Sequence, residues 1–92
     1  MAVAMMVDNP QGSQEVYERI RELIGLEQPA GGILHLAGPG PDGGWRVIEV
    51  WESEQDAQRF FAERVLPAAE AVGAPAPPLP QIWHVHSYMP RS

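Results

Sequence analysis

The chain has 92 residues, six arginines, no lysine, no cysteine and a formal net charge of −6. Its length fits one domain, residues 1–92, and the absence of cysteine excludes disulfides and thiolate metal sites. The scattered arginines form no basic stripe, so we expect no nucleic-acid partner. No run approaches the roughly 20 apolar residues that a membrane-spanning helix needs. The apolar N-terminus has no basic flank for a signal peptide, so we expect a cytoplasmic protein with no membrane partner.

The first half of the chain has the pattern of a strand, a helix and a second strand. Residues Ala2 to Val7 form an apolar run before the turn residues 8–12, which predicts a buried strand. Ser13 stands at a helix N-cap position, and Gly25 is the expected C-terminal glycine. Gly32 to Ala37 predicts the second strand. The apolar stripe of the helix consists of Val16, Tyr17, Ile20, Leu23 and Ile24.

The second half of the chain repeats the same kinds of element. After a glycine-rich turn, Trp45 to Trp51 predicts a third strand that pairs with the second as a hairpin. Ser53 begins the second helix, and Pro67 should kink or break it because proline has no N–H to donate. A proline-rich connector, residues 74–80, leads to the predicted fourth strand, Gln81 to Met89.

The order strand, helix, strand, strand, helix, strand is typical of the ferredoxin-like fold of the α+β class. Right-handed crossovers place both helices on one face of a four-stranded antiparallel sheet. The glycine spacing of Gly38-x-Gly40-x-x-Gly43 matches that of a dinucleotide-binding motif. The structural context does not match, because the segment joins two predicted strands and precedes no helix. We expect a hairpin turn there.

The predicted strands carry apolar residues on both faces. On the third strand, Ile48 and Val50 point one way while Val47 and Trp51 point the other, and the other strands alternate similarly. Two helices cover only one face, so the other would be a large exposed apolar patch. We expect a second copy of the chain to cover it, sheet against sheet, in a homodimer.

The segment 43–53 (GGWRVIEVWES), followed by Phe60-Phe61 and Leu66-Pro67-Ala68, resembles small bacterial proteins of the dimeric α+β barrel superfamily. The most similar group is that of the antibiotic-biosynthesis-monooxygenase-like domains. The proline-rich connector before Val85-His86 also fits, so the resemblance covers essentially the whole chain. The superfamily includes cofactor-independent monooxygenases, polyketide cyclases, isomerases, haem-handling proteins and members with no known chemistry. The resemblance therefore implies a fold rather than one reaction, and it supplies no catalytic residue.

His35 is predicted to lie beside a carboxylate. If Leu34 and Leu36 face the helices, His35 faces the dimer side of the sheet, and Glu49 on the paired strand should share that side. A neutral imidazole suits proton transfer near neutral pH, and a carboxylate beside it can fix its tautomer. We therefore predict that His35 is a catalytic acid or base and that Glu49 orients it.

The fourth strand and the tryptophans complete the predicted pocket. The more apolar of the strand's two alternating sets should meet the helices, which turns its histidines and tyrosine toward the dimer side. Aromatic walls favour a flat, apolar ligand. We predict His86, or alternatively Tyr88, as a second catalytic proton donor. The predicted substrate-binding residues are Trp45, Trp51, His84 and Tyr88.

Two functions remain open from the sequence. The first is a cofactor-independent enzyme of the monooxygenase, cyclase or isomerase type, acting on a small apolar, aromatic or polyketide-like molecule. The second is a non-catalytic dimeric module that binds a ligand. His84-x-His86 with His35 and Glu49 has the composition of a metal site, but the spacing is a weak indication, and we predict neither metal nor cofactor. A cavity reached by two or more histidines would favour the enzyme, and a filled interior would favour the module.

Overall fold

A computed structural model describes residues 1–25 and 27–87, and it has a four-stranded antiparallel sheet with helices packed on one face. The strands are β1 (Val3–Asn9), β2 (Gly32–Pro39), β3 (Trp45–Trp51) and β4 (Gln81–His84), in the sheet order β2-β3-β1-β4. The helices are α1 (Gln14–Ile24), α2 (Glu54–Phe60) and α3 (Leu66–Ala71), with a π-helical turn, Phe61–Val65, between the last two. This arrangement confirms the predicted ferredoxin-like α+β fold.

Helix α1 begins and ends where the sequence predicts. The Ser13 hydroxyl accepts a hydrogen bond of 3.2 Å from the backbone N–H three residues further on, which satisfies one free donor of the first turn. Gly25 follows the last turn with a φ of 96°, which disfavours residues with a Cβ, and its N–H bonds to the carbonyl of Arg21. Arg64 donates to the carbonyl of Ile24 at 2.7 Å, so the end of α1 is held to the π-helical turn.

Pro67 does not end the second helical segment, and the irregularity predicted there takes the form of a π-helical turn directly before it. The N–H of Leu66 bonds to the carbonyl of Phe61, five residues back, which makes a turn wider than that of an α-helix. Pro67 then falls in the first turn of α3, and the wide turn before it accommodates a residue that has no N–H to donate. The helical path therefore continues from Glu54 to Ala71.

Strand β4 is shorter than predicted because β1, the strand it pairs with, begins at Val3. His84 pairs with Val3, the first residue of β1, and only the N–H of Val85 adds one more bond, to the carbonyl of Ala2. The predicted end at Met89 lies outside the described residues.

The sheet face that packs against the helices is the opposite of the one predicted. Leu34 and Leu36, expected beneath the helices, are 43% and 48% exposed. Trp51 is 2% exposed and packs against Phe60 of α2, with ring centroids 5.0 Å apart. Paired residues of antiparallel strands share a face, so the strand registers assign the others. The helix-facing set is Val3, Met5, Val7, His35, Val47, Glu49, Trp51 and Ile82, and the outer set is Ala4, Met6, Leu34, Leu36, Ile48, Val50 and Trp83.

The core lies between the helix-facing side of the sheet and α2. It is built from Val3, Met5, Trp51, Ala57 and Phe60. Burial of the larger of these side chains, such as Val3, Met5 and Phe60, stabilises the fold by about 1.5–3 kcal/mol each. In the described part of the chain, none of the helices has the length and apolar character needed to cross a membrane.

Candidate functional site

A cleft of about 110 Å³ lies between α1 and the helix-facing side of the sheet. Its walls are mostly apolar, with Val7 and Val47 on the sheet side and Phe61 and Val65 on the π-helical turn. The wide turn therefore supplies part of the cleft lining. The charged or polar side chains along the cleft include Tyr17, Arg21, His35 and Glu49.

Four side chains form a continuous chain of hydrogen bonds at the base of this cleft. The Tyr17 Oη lies 2.5 Å from the Nε2 of His35, and the Nδ1 of His35 lies 2.6 Å from the Oε2 of Glu49. The indole N–H of Trp51 donates to the other carboxylate oxygen, Oε1, at 3.1 Å. Glu49 and Trp51 can meet in this way because residues two apart on a strand point to the same face.

The positions of the hydrogens in this series of hydrogen bonds follow from the chemistry of the four groups. A carboxylate only accepts, so the Nδ1 of His35 carries a hydrogen and donates it to Glu49. In a neutral imidazole the Nε2 is then an acceptor, and the hydroxyl of Tyr17 donates to it. A proton that leaves Tyr17 can therefore pass to Nε2, and the carboxylate of Glu49 stabilises the imidazolium that forms.

The two ends of this series of hydrogen bonds differ in their exposure to solvent. Glu49 is 5% exposed, and a buried carboxylate is tolerated when hydrogen bonds replace its lost hydration. At the other end, Tyr17 borders the cleft. Burial raises the pKa of Tyr17 above its ordinary value of 10.0, the charge of Arg21 lowers it by a smaller amount, and Glu49 adds to the increase. Tyr17 therefore holds its proton at neutral pH.

Aromatic contacts fix the ring of Tyr17. It stacks on the imidazole of His35 with centroids 5.9 Å apart and an angle of 19°, and it lies 5.4 Å from the ring of Trp45 at 38°. Among the described residues, the buried indole N–H of Trp45 has no hydrogen-bond acceptor. Tyr17 is not among the site residues predicted from the sequence, although it is the one member of the apolar stripe of α1 with a polar tip.

The structure brings three of the predicted site residues to the cleft. His35 and Glu49 lie together there, on the helix-facing side rather than the predicted dimer side. The prediction of the face is wrong because α1 covers the set that contains these two residues. Trp45 also lines the cleft, whereas Trp51 lies in the core and reaches the site only through its bond to Glu49.

The predicted residues of the fourth strand are not part of the cleft. His84 does share a face with Val3 and Trp51, but β4 and β2 are opposite edges of the sheet. Three strand spacings separate them, or about 14 Å, and His84 is exposed. His86 follows the strand and is also exposed. Tyr88 lies outside the described residues.

The histidines do not assemble the metal set that the sequence left open. His84 lies on the opposite edge of the sheet from His35, too far to share one ion with it. Within residues 1–25 and 27–87, no three histidine, aspartate or glutamate side chains cluster as a metal site requires.

No protein-family model matches the chain, and no curated protein matches it. Solved structures do match. A variant of SnoaB, a cofactor-independent oxygenase from Streptomyces nogalater, has a TM-score of 0.61 and 19% identity over 98% of this chain and 97% of that one. The monooxygenase from the gene ActVA-Orf6 of Streptomyces coelicolor, in complex with nanaomycin D, has a TM-score of 0.59 and 23% identity over 99% and 92%. The protein YJCS has a TM-score of 0.60 and 15% identity over 94% and 100%.

The similar structures agree over nearly the whole length of both chains, while their sequences agree at 23% of positions or fewer. Similarity of this kind establishes a shared architecture and leaves the activity to be argued from the site. The chain therefore has the ferredoxin-like fold of the antibiotic-biosynthesis-monooxygenase-like proteins, as the resemblance of its sequence predicts.

Proposed function

We propose that the cleft binds a small, largely apolar aromatic molecule and that Tyr17, His35 and Glu49 exchange a proton with it. The reaction is of the oxygenase type and uses no tightly bound cofactor. The observation that carries this proposal is the chain of hydrogen bonds that leads from Tyr17, at the cleft, to the buried Glu49. The description of SnoaB as a cofactor-independent oxygenase supports it.

The shape of the cleft limits the ligand. A volume of about 110 Å³ is below the roughly 300–1,000 Å³ of sites for drug-sized ligands. A molecule of one or two rings fits best, and a larger one requires α1 to move away from the sheet. None of the residues of α1 is fully buried. Its half-buried apolar residues Val16, Ile20 and Ile24 face the cleft, so an outward shift of this helix exposes them and has a cost in free energy.

The proposed reaction converts an acidic C–H₂ group of the ligand into a carbonyl, with dioxygen as the co-reactant. The base takes one proton from the carbon, and the carbanion donates its electron pair to dioxygen, so that a C–O bond forms. The peroxide anion regains the proton. Loss of water then removes the second hydrogen together with one oxygen atom and leaves C=O. Within this sequence His35 is the base that acts through Tyr17, and Glu49 stabilises the imidazolium.

Anthrone is a suitable probe because its ring ketone acidifies the opposite C–H₂ group. With three fused rings it exceeds the cleft as described, so its binding requires the outward shift of α1. We expect the protein to accelerate dioxygen uptake by anthrone above the rate in buffer. Since general acid–base catalysis typically contributes about 10²–10⁴-fold, Tyr17→Phe and His35→Gln should each lower the acceleration by about 100-fold or more.

His84→Gln is the matched control, because His84 is exposed and lies on the far edge of the sheet. It should react like the unaltered protein. An equal loss in the His84 and His35 variants would contradict the proposed base. No acceleration by the unaltered protein, with anthrone bound, would contradict the oxygenase reaction.

A non-catalytic binding module is the second candidate. It is favoured by one observation: among the described histidines, only His35 lines the cleft, whereas two or more would favour an enzyme. This candidate predicts that the cleft binds aromatic molecules without turnover. Binding of anthrone that quenches tryptophan fluorescence, without dioxygen uptake, would support the module over the enzyme.

We also propose that the outer face of the sheet joins two copies of the chain. Leu34, Leu36 and Trp83 are large, apolar and more than two-fifths exposed there. An ion pair between Arg46 and Asp8, with 2.6 Å between Nη2 and Oδ2, borders this apolar surface at one end of the sheet. An apolar centre with a polar rim is the usual composition of a homodimer interface.

A further inference from the structure

We propose that Arg21 is an anion-recognition residue and that the cleft prefers acidic aromatic ligands, carboxylates or phenolates, to neutral ones. The inference rests on the proposed function, because it assumes that the ligand occupies the cleft beside Tyr17.

The position of Arg21 follows from the helix. It comes four residues after Tyr17 on α1, and residues at this spacing are neighbours on one helix face. Both side chains line the cleft. The charge of Arg21 also lowers the pKa of Tyr17, although less than burial raises it, which places the guanidinium within electrostatic reach of the hydroxyl. A ligand group bound to Arg21 would therefore lie close to the proposed proton-transfer residue.

The guanidinium of Arg21 lines the cleft and has no side-chain partner; among the described arginines only Arg19, which is exposed and outside the cleft, also has none. The other three are engaged. Arg46 pairs with Asp8, and Arg64 donates to a backbone carbonyl. Arg59 lies 3.9 Å from an oxygen of Asp56. No ion pair or side-chain hydrogen bond within residues 1–25 and 27–87 includes Arg21. Five N–H donors thus remain open beside an apolar cleft, which suits two-point binding of a carboxylate.

The carboxylate already in the cleft does not take this role. Both oxygens of Glu49 are engaged, one by His35 and the other by Trp51. A ligand anion at Arg21 would add the missing negative charge beside the cation. Charge-assisted hydrogen bonds of this kind are stronger than neutral ones, so they should dominate the choice between a charged and a neutral ligand.

Naphthoate and naphthamide test the inference, because they share a ring system and differ in charge. We expect the unaltered protein to bind naphthoate more tightly, as measured by calorimetry. Arg21→Gln should weaken naphthoate binding by about tenfold or more and naphthamide binding by less than about twofold. Arg21→Lys should keep part of the preference.

Arg19→Gln is the control variant, since Arg19 is exposed on the same helix and its loss changes the net charge equally. It should leave both affinities unchanged. If the Arg19 and Arg21 variants reduced the affinity for naphthoate equally, the inference would be overturned. An equal reduction of the affinities for naphthoate and naphthamide in Arg21→Gln would also overturn it. If the unaltered protein binds naphthamide without preferring naphthoate, the inference fails while the binding cleft stands. If it binds neither molecule, the proposed function itself fails.

Discussion

The hydroxyl of Tyr17 and the imidazole of His35 meet between α1 and the edge strand β2, with 2.5 Å between Oη and Nε2. The two residues are 18 positions apart in the chain, and one is on a helix while the other is in the sheet. Their contact means that the position of α1 sets the geometry of the proton-transfer chain. A change in the packing of α1 should therefore alter the site even when no site residue is replaced.

Tyr17 should titrate above pH 10.0. Burial, with a smaller contribution from Glu49, raises its pKa above that value, and Arg21 only partly opposes the increase. The difference in near-ultraviolet tyrosinate absorbance between the unaltered protein and Tyr17→Phe isolates this residue from Tyr88. A midpoint at or below 10.0 would contradict the described burial.

The same raised pKa predicts how stability changes at high pH. The folded state holds the Tyr17 proton more tightly than the unfolded chain does. Its contribution to the free energy of unfolding is therefore fully present below pH 10.0 and is lost as the pH rises through the raised pKa. Denaturant titrations should show the difference between the unaltered protein and Tyr17→Phe decreasing over that interval. A difference that grows with pH would have the wrong sign.

Glu49→Gln should reverse the tautomer of His35. A glutamine oxygen can still accept from Trp51 only if its amide donates to the Nδ1 of His35, which moves the imidazole hydrogen to Nε2. Nitrogen-15 spectra of the histidine rings distinguish the two tautomers. The signals of His84 and His86, which are exposed, serve as internal references and should not change. An unchanged His35 signal would contradict the assignment.

Glu49→Leu should destabilise the fold more than Glu49→Gln does. Leucine leaves the indole N–H of Trp51, which is buried, and the Nδ1 of His35 without an acceptor. An unsatisfied buried polar group costs about 1–3 kcal/mol, so we expect a loss of that order in the free energy of unfolding. Chemical denaturation measures it. Equal stability of the two variants would show that these bonds add little.

Leu36→Glu should prevent dimer formation while leaving the subunit folded. The side chain is 48% exposed on the outer face, so a charge there is solvated in a single chain and buried only against a second copy. Sedimentation velocity at micromolar concentration measures the state of assembly. Leu79→Glu is the control, because Leu79 is 85% exposed on the connector before β4. A single-chain species in the unaltered protein would refute the dimer.

The elements and their ends were predictable because local chemistry specifies them. Ser13, Gly25 and Ser53 mark helix ends through their own hydrogen bonds or backbone angle, as expected. At Pro67 the choice between a kink and a break could not be read from the proline alone, because it depends on the wide turn that the bond between Leu66 and Phe61 closes.

The orientation of the sheet could not be read from alternation, because both faces are apolar. The assumption that Leu34 and Leu36 face the helices inverted the whole sheet. In the structure the polar tip of the α1 stripe, Tyr17, meets His35, and the core residues Val3 and Trp51 share that face, so the polar pair lies inside. The pairing of His35 with Glu49 was accessible from the hairpin register alone.

The location of the cleft has a consequence for how this kind of chain can diversify. The cleft is enclosed by one subunit, on the side of the sheet away from the proposed partner. Substitutions that reshape it for a new ligand leave the outer face unchanged, and substitutions on the outer face leave the cleft unchanged. Selection can therefore alter what is bound and how the copies associate independently, because alternate residues of the same strands serve the two tasks.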